Sequence, residues 1–421
     1  MKASISKSEV AGTVAAPSSK SYTIRGLMCG ALASGKSQIG HPLGSEDTQV
    51  ATGVLRKVGA RIRQSKQQWT VEGGGFHAPG GDLYCGDSAA TLRFMTALSS
   101  IIPGTSRLTA GESLSRRPVK ALIDAMRHLD VKCSATGELP PVTVEGGRLV
   151  GGITSLPGDI SSQFVSALLM VAPFAEQSVT VKVTTPLESK PYVLMTMDTM
   201  QWFGVTVAAS MEMDEFQVFP QKYKPTRYEV EGDWSSASYL LALGALAGDV
   251  EVTNLPSETM QGDRMLVDFL QAMGADVVTG RTAVIARQSK LRAISADLSD
   301  CIDLLPTMAV LAAVADGTSR FTGIARARLK ESDRVAALRD GLARMGISTN
   351  EGRDSLTVGG GYPHGAEIDS RNDHRIAMAF SLLGAVAGGT VIGQAECVNK
   401  TYPEFWQTLS ALGGKVTLDE K

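Results

Sequence analysis

Gly232-Asp233-Trp234-Ser235-Ser236 heads a run, residues 235–247, that is rich in Ala and Leu and apolar nearly all round. A helix apolar on every side is a buried helix. Gly, Asp and Ser are the residue types that cap a helix start. Residues 250–253 then alternate like a strand, and residues 264–273 are amphipathic, as an outer helix should be. Met273-Gly274-Ala275 closes that helix, with Gly where a C-cap needs positive φ.

The closing pattern recurs as Val58-Gly59-Ala60, Leu129-Asp130-Val131, Phe203-Gly204-Val205, Met345-Gly346-Ile347 and Leu412-Gly413-Gly414, about 70 residues apart each time. Asp130 is the exception, a residue type that tolerates positive φ less well than Gly. Further all-round apolar helices are predicted at residues 18–33, 88–102, 161–175, 305–315 and 374–387, and strands at 107–109, 179–183, 319–322 and 391–392. Each repeat reads roughly βαβαββ. Six repeats with a break near Lys222-Tyr223-Lys224-Pro225 predict an α/β protein of two domains, three repeats each.

A chain of 421 residues is too long for one ordinary core. Its formal net charge of −2 offers no global basic field, so any anion site is local. Cys29, Cys85, Cys133, Cys301 and Cys397 are scattered without a C-x-x-C pair, which supports neither a zinc site nor a disulfide framework. The N-terminus has no apolar targeting segment, and the longest apolar runs, such as 240–247, are too short to span a bilayer. A soluble, cytoplasmic protein is expected. Gly30-Ala31-Leu32-Ala33-Ser34-Gly35-Lys36-Ser37 matches the P-loop pattern, but it closes a predicted helix instead of opening one, so the motif lacks its context.

The polar residues gather at the starts of the buried helices: Pro17-Ser18-Ser19-Lys20-Ser21, Gly86-Asp87-Ser88, Gly158-Asp159-Ile160-Ser161-Ser162-Gln163, Gly232-Asp233, Asp300-Cys301-Ile302-Asp303 and Asn372-Asp373-His374-Arg375. Capping explains the Gly, Ser and Asp residues by itself. Free N–H groups and partial positive charge at such ends also suit phosphate or carboxylate. Lys20, Arg25, Arg93, Gln163, Asp303 and Arg375, beyond the caps, then carry the information. Arg328-Leu329-Lys330-Glu331-Ser332-Asp333-Arg334 places five charges in seven residues before an apolar stripe of Val335, Leu338, Leu342 and Met345. Continued one turn back, the stripe lands on Glu331, which predicts Lys330, Glu331 and Arg334 on one first helical turn. Either this is a solvated helix start, or Glu331 is a carboxyl tuned by fixed cations as a proton donor.

These motifs resemble the enolpyruvyl transferases, in particular the 5-enolpyruvylshikimate-3-phosphate synthase family. The resemblance is carried in order along nearly the whole chain by Ser18-Ser19-Lys20-Ser21 with Arg25, Asp87-Ser88 with Arg93, Ser115-Arg116-Arg117-Pro118, Ser161-Ser162-Gln163-Phe164, Ser189-Lys190-Pro191-Tyr192, Asp233 with Ser235-Ser236, Lys330-Glu331-Ser332-Asp333-Arg334, Asp373-His374-Arg375 and Lys400-Thr401-Tyr402-Pro403. It implies two domains closing like a clamp, with the active site in the cleft between them. It also implies that the first strand belongs with the C-terminal domain. The expected boundaries are 14–226 for the first domain and 1–13 plus 227–421 for the second.

The implied reaction moves the enolpyruvyl group of phosphoenolpyruvate to the 5-hydroxyl of shikimate 3-phosphate and releases phosphate, a step toward chorismate and the aromatic amino acids. The resemblance assigns Lys20, Arg93, Arg117, Gln163, Arg334, Arg375 and Lys400 to phosphoenolpyruvate. It assigns Lys20, Ser21, Arg25, Ser161, Ser162, Gln163, Ser189, Asp303, Arg326 and Lys330 to shikimate 3-phosphate. Asp303 would take or orient the hydroxyl proton, and Glu331 would protonate the methylene carbon, with Lys20 and Lys400 as partners in proton transfer. No metal, organic cofactor, nucleic acid or membrane partner is implied, and a monomer is expected.

Two departures stand out. Ala89 and Ala90 replace a Gly-Thr pair common in the family, so the Ala89 methyl narrows the phosphoenolpyruvate pocket and implies weak inhibition by glyphosate. Arg326 replaces an Asn, and either adds a cation near the shikimate phosphate or faces solvent. The UDP-N-acetylglucosamine enolpyruvyl transferases carry a reactive Cys on the loop matching Gly111-Glu112-Ser113-Leu114-Ser115-Arg116-Arg117-Pro118, which has none here. An RNA 3′-phosphate cyclase-like activity would need a basic groove and stacking platforms that are not evident. A non-catalytic phospholigand binder would have no use for Asp303, Glu331 and Lys400.

Overall fold

The computed structural model describes residues 1–419. The six closing positions predicted from sequence all lie at positive φ: Gly59 at 117°, Asp130 at 64°, Gly204 at 80°, Gly274 at 85°, Gly346 at 82° and Gly413 at 98°. Asp130 adopts the left-handed conformation despite its side chain, so the repeat geometry overrides residue preference there. Six buried helices run Lys20–Leu32, Ala89–Leu98, Ser162–Val171, Trp234–Ala247, Leu305–Ala312 and His374–Ala387. Several end earlier than periodicity suggests. Ser162–Val171 stops because Pro173 has no N–H to continue the ladder, and the chain passes into the 3-10 turn Ala172–Phe174. The P-loop look-alike straddles the end of Lys20–Leu32 and the strand Gly35–Gly40, with no helix opening at Lys36.

Each repeat contributes one four-stranded sheet. In the second repeat the order is Leu83–Tyr84, Gly104–Thr109, Leu139–Gly146, Lys132–Thr136. The first pair is parallel across the buried helix and the rest antiparallel. Three sheets are completed from distant chain, the fourth repeat's by Val10–Ala15 beside Gly248–Thr253. Lys2–Ser6 lies between Thr390–Gly393 and Lys415–Asp419 in the sixth repeat. Arg227–Glu229 pairs parallel with Gly35–Gly40 in the first.

The chain divides into two compact units, residues 1–17 with 231–421, and residues 18–230. These bounds lie four residues later at both crossings than the expected 13/14 and 226/227. The reason is strand pairing. Val10–Ala15 is bonded to Gly248–Thr253 along its whole length, so residues 14–17 stay with the C-terminal unit. The pairing of Arg227–Glu229 retains residues 227–230 in the N-terminal one. Each unit has its own core. In the C-terminal unit the helices Trp234–Ala247, Leu305–Ala312 and His374–Ala387 touch one another. In the N-terminal unit the core gathers the other three. Among the described residues no helix is long and apolar enough to cross a membrane.

Candidate active site

The predicted site residues fall on both units, and each unit holds its own set. In the N-terminal unit, Ser19 caps Lys20–Leu32, its hydroxyl accepting from the Tyr22 N–H. Lys20, the first helical residue, places Nζ 3.1 Å from Asp47 Oδ2. Sequence reasoning missed Asp47. The available signal was its place in the first turn of Glu46–Lys57, behind the Ser45–Thr48 capping box.

Arg25, one turn further on, is 2% exposed. It donates from Nε to Thr196 Oγ1 at 2.8 Å, from one terminal nitrogen to the Ser21 carbonyl at 3.0 Å, and from the other to the Tyr192 carbonyl at 2.9 Å. Its guanidinium also lies 5.4 Å from the Phe94 ring centroid. Burial lowers its pKa. Arg25 therefore ties Lys20–Leu32 to the outer helix Lys190–Trp202.

Arg93 donates to Ser161 Oγ at 2.9 Å and to Gln163 Oε1 at 2.8 Å, with its guanidinium 4.9 Å from the Phe164 ring centroid. Ser161 caps Ser162–Val171 through the Gln163 N–H. This joins Arg93, Ser161 and Gln163, predicted separately from two repeats, into one cluster; Ser162 is buried beside its capping neighbour. Arg117 donates to Ser113 Oγ at 3.0 Å, within the loop that follows Asp87's bond to the Leu114 N–H. Ser189 is buried in a left-handed conformation, φ 55° and ψ 44°, ahead of Lys190–Trp202.

The C-terminal unit carries the denser charge. Arg334 is 1% exposed and binds three carboxylates. Nε donates to Asp373 Oδ2 at 2.8 Å, one terminal nitrogen to Asp303 Oδ1 at 2.8 Å, and the other to Glu331 Oε2 at 2.7 Å. Two further cations stand 3.4 Å from Asp303, Lys330 Nζ and an Arg375 nitrogen, while Lys400 Nζ lies 4.0 Å from Glu331 Oε1. Burial alone would raise the Asp303 carboxyl. Arg375, Lys330 and Arg334 outweigh it and hold the group well below the usual carboxylate range. Burial is likewise the largest influence on Arg334 and lowers it, but Asp373, Glu331 and Asp303 overcome it and raise its pKa.

The expected shared first turn of Lys330, Glu331 and Arg334 is corrected. The helix is Arg334–Arg344, and Asp333 caps it through the Ala336 N–H. Lys330 and Glu331 precede the cap in extended and bent chain, so only Arg334 is helical. The Arg334–Glu331 pair forms all the same. The reading of a solvated helix start fails on exposure, since the Glu331 side chain is only 12% exposed. Arg326 does not face solvent either: it is buried and donates to the Ser299 carbonyl at 2.9 Å.

Asp303 lies in the 3-10 turn Ile302–Leu304, leading into Leu305–Ala312 with Pro306 near its start. Asp373 was recognised only as part of a motif. It caps His374–Ala387 through the Arg375 N–H and accepts from Ser332 Oγ at 3.0 Å as well as from Arg334. It thus fixes the cation that binds both Asp303 and Glu331.

Comparison with known proteins decides the family. EPSP synthase (3-phosphoshikimate 1-carboxyvinyltransferase) is the family that matches, over residues 5–409. The chain belongs to the EPSP synthase family. A relative from Dehalococcoides mccartyi named 3-phosphoshikimate 1-carboxyvinyltransferase is 47% identical over 421 residues, all of both chains. One of the same name from Methanothermobacter thermautotrophicus is 42% identical over 97% of each chain. The solved EPSP synthase of Acinetobacter baumannii superposes with a TM-score of 0.84 at 27% identity, covering 99% of this chain and 100% of that one. The enolpyruvyl transferase NikO from Streptomyces tendae, at 19% identity and a TM-score of 0.79 over 99% and 98% of the two chains, shares the fold. The mixed α/β architecture of six repeated sheets is thus that of EPSP synthases.

Proposed function

We propose that the protein transfers the enolpyruvyl group of phosphoenolpyruvate to the 5-hydroxyl of shikimate 3-phosphate, releasing phosphate. Family membership over nearly the whole chain supports the reaction. The observation that carries the residue roles is the pair Asp303 and Glu331 on one buried guanidinium, that of Arg334.

Asp303, kept ionised by three cations, receives the hydroxyl proton as the 5-oxygen bonds to C2 of phosphoenolpyruvate. Glu331 delivers a proton to the methylene carbon, making it a methyl group. The resulting tetrahedral ketal then loses a methyl proton and phosphate, which regenerates the vinyl double bond. Lys400, beside Glu331, is suited to proton exchange with it, and the family resemblance gives Lys20 a part in the same proton transfer. Lys20, Arg93, Arg117, Gln163, Arg375 and Lys400 hold phosphoenolpyruvate. Arg334 works first by orienting the two carboxylates, because its N–H groups already point to Asp303, Glu331 and Asp373. Lys20, Ser21, Arg25, Ser161, Ser162, Gln163, Ser189, Asp303, Arg326 and Lys330 form the shikimate 3-phosphate set. Arg25 serves it by positioning the Ser21 segment and Tyr192.

Phosphate release from the purified protein should require both substrates. In Glu331→Gln, which keeps the Arg334 hydrogen bond but offers no proton, release should fall by about 10²–10⁴-fold with the melting temperature nearly unchanged. Release with either substrate omitted, or undiminished release in the variant, would refute the assignment.

A further inference from the structure

Residues 328–334 carry five charges, and the reaction above uses three of them, Lys330, Glu331 and Arg334. Arg328 and Asp333 have no task there, yet they flank Lys330 and Glu331 and meet each other. One terminal nitrogen of Arg328 lies 3.2 Å from Asp333 Oδ2 and 3.4 Å from Oδ1. The same nitrogen stands 3.3 Å from Glu351 Oε2, and the other donates to the Gly352 carbonyl at 2.8 Å. Arg328 belongs to the 3-10 turn Ala325–Leu329. That turn is held at its other end too, where the Ala325 N–H donates to Asp354 Oδ1 at 2.7 Å. Glu351, Gly352 and Asp354 lie on the hairpin made by Thr349–Glu351 and Ser355–Gly359. Glu351 also receives Arg339 from the helix Arg334–Arg344, so the turn and the helix share one anchor.

Lys330 and Glu331 precede the helix, so no helical ladder holds them in place. A short link such as 329–332 loses conformational entropy when it is fixed, and something must hold it fixed. Its geometry is nevertheless defined: Lys330 Nζ stands 3.4 Å from Asp303, and Glu331 Oε2 stands 2.7 Å from an Arg334 nitrogen. We propose that Arg328, acting through Asp333, is a positioning residue for Lys330 and Glu331. The Arg328–Asp333 bridge closes the link at its base, and the contacts to Glu351 and Gly352 fasten that base to the hairpin. The loop then presents Lys330 to shikimate 3-phosphate and Glu331 to the methylene carbon of phosphoenolpyruvate. A guanidinium suits the task, because its planar fork serves two carboxylates and a carbonyl at once, whereas a lysine ammonium acts from a point. The Arg328 side chain is 26% exposed and that of Asp333 38%, so the pair adds little to global stability. Its effect is on geometry. Asp333 has two separable parts: it caps the helix through the Ala336 N–H at 3.0 Å, and it holds Arg328.

The inference rests on the proposed reaction, and one set of measurements separates the two. Phosphate release gives kcat and the KM of each substrate for the full-length protein, Arg328→Met, Asp333→Ser and the double variant, alongside their melting temperatures. Ser caps a helix about as well as Asp, but its hydroxyl is too short to hold the guanidinium, so Asp333→Ser removes the bridge and keeps the cap. Arg328→Met should lower kcat by about 10-fold and raise KM for shikimate 3-phosphate several-fold. KM for phosphoenolpyruvate should stay nearly level, because Arg375 and Lys400 lie outside the loop. Asp333→Ser should move the same two parameters in the same direction, by less, with the melting temperature nearly unchanged. The double variant should be no worse than Arg328→Met, since two residues acting through one bridge do not add. Losses that multiply in the double variant, a KM that rises equally for both substrates, or unchanged kinetics in Arg328→Met and Asp333→Ser overturn the role. If Arg328→Met does not fold, Arg328→Lys replaces it: the charge is kept but the fork is lost, and kinetics equal to wild type overturn the role. Absence of turnover by the wild-type protein with both substrates overturns the reaction and the inference together. Turnover with variants that match the wild type overturns the inference alone.

Discussion

At the scale of single residues, the C-terminal unit works by dividing a small number of buried charges unequally. Arg334 holds three carboxylates, and Asp303 is surrounded by three cations, so before substrate arrives both keep their charge near neutrality. Lys330 is different. Burial first, with Arg334 and Arg326 pushing the same way against Asp303 and Glu331, brings its pKa down to about 8. Below about pH 8 Lys330 is a cation able to hold an anionic substrate; above it the charge is lost. KM for shikimate 3-phosphate should therefore rise as pH passes about 8, and Lys330→Met should show a high KM with no such limb. A wild-type KM that stays level to pH 9.5 would contradict this role for Lys330. The linkage has a definite sign. Between about 8 and the usual 10.5 the unfolded lysine retains a proton that the folded one has released, so this residue makes stability rise with pH across that window.

At the scale of elements, the site depends on how one outer helix seats on one buried helix. Arg334–Arg344 carries Arg334 at its start, and His374–Ala387 carries Arg375 and the cap Asp373 at its own. The two helices touch where Gly341 meets Phe380. A Cβ at position 341 would lie 2.2 Å from Phe380 Cζ, and Phe380 is fully buried. Gly341→Ala must push the helices apart. It should destabilise the protein by about 1–3 kcal/mol, seen as a lower denaturant midpoint, and cost activity beyond that loss because Arg334 shifts relative to Asp373. Gly53→Ala is the internal control. Gly53 is exposed within the helix Glu46–Lys57, and nothing lies within 4 Å of a Cβ there. That substitution should stabilise by about 0.5–1 kcal/mol with activity unchanged. Equal effects at the two positions would show that helix seating is not what Gly341 protects.

At the scale of the whole molecule, the chain's beginning belongs to the unit formed by its second half. Lys2–Ser6 is an interior strand of the sixth sheet, with Ala3 and Ile5 in the core. Removing residues 1–6 would leave both Thr390–Gly393 and Lys415–Asp419 with unpaired edges, a template for aggregation. The truncated protein should lose solubility, and limited proteolysis should degrade residues 231–421 while a fragment near 18–230 persists. Survival of both units on the same time course would mean that this strand contributes little.

Much of this was legible in the sequence because it depends on neighbours a few positions away. Helix caps, the period of the apolar residues and the left-handed closing positions are local, and all six closing positions could be read, Asp130 included. The order of motifs also pointed to the family, and Glu331 was conspicuous as a carboxylate in line with an apolar stripe. What the sequence could not convey were pairings made across distance. Asp47 meets Lys20 from 27 residues away, and Asp263 meets Ser235 from 28. Lys2–Ser6 finds its partners at the far end of the chain, at Thr390–Gly393 and Lys415–Asp419. A place in the first helical turn was the local mark on Asp47, and it does not name Lys20 as the partner. Only burial in the folded unit, where each charge is weighed against every other within reach, decides which carboxylates stay ionised and which cation each one holds.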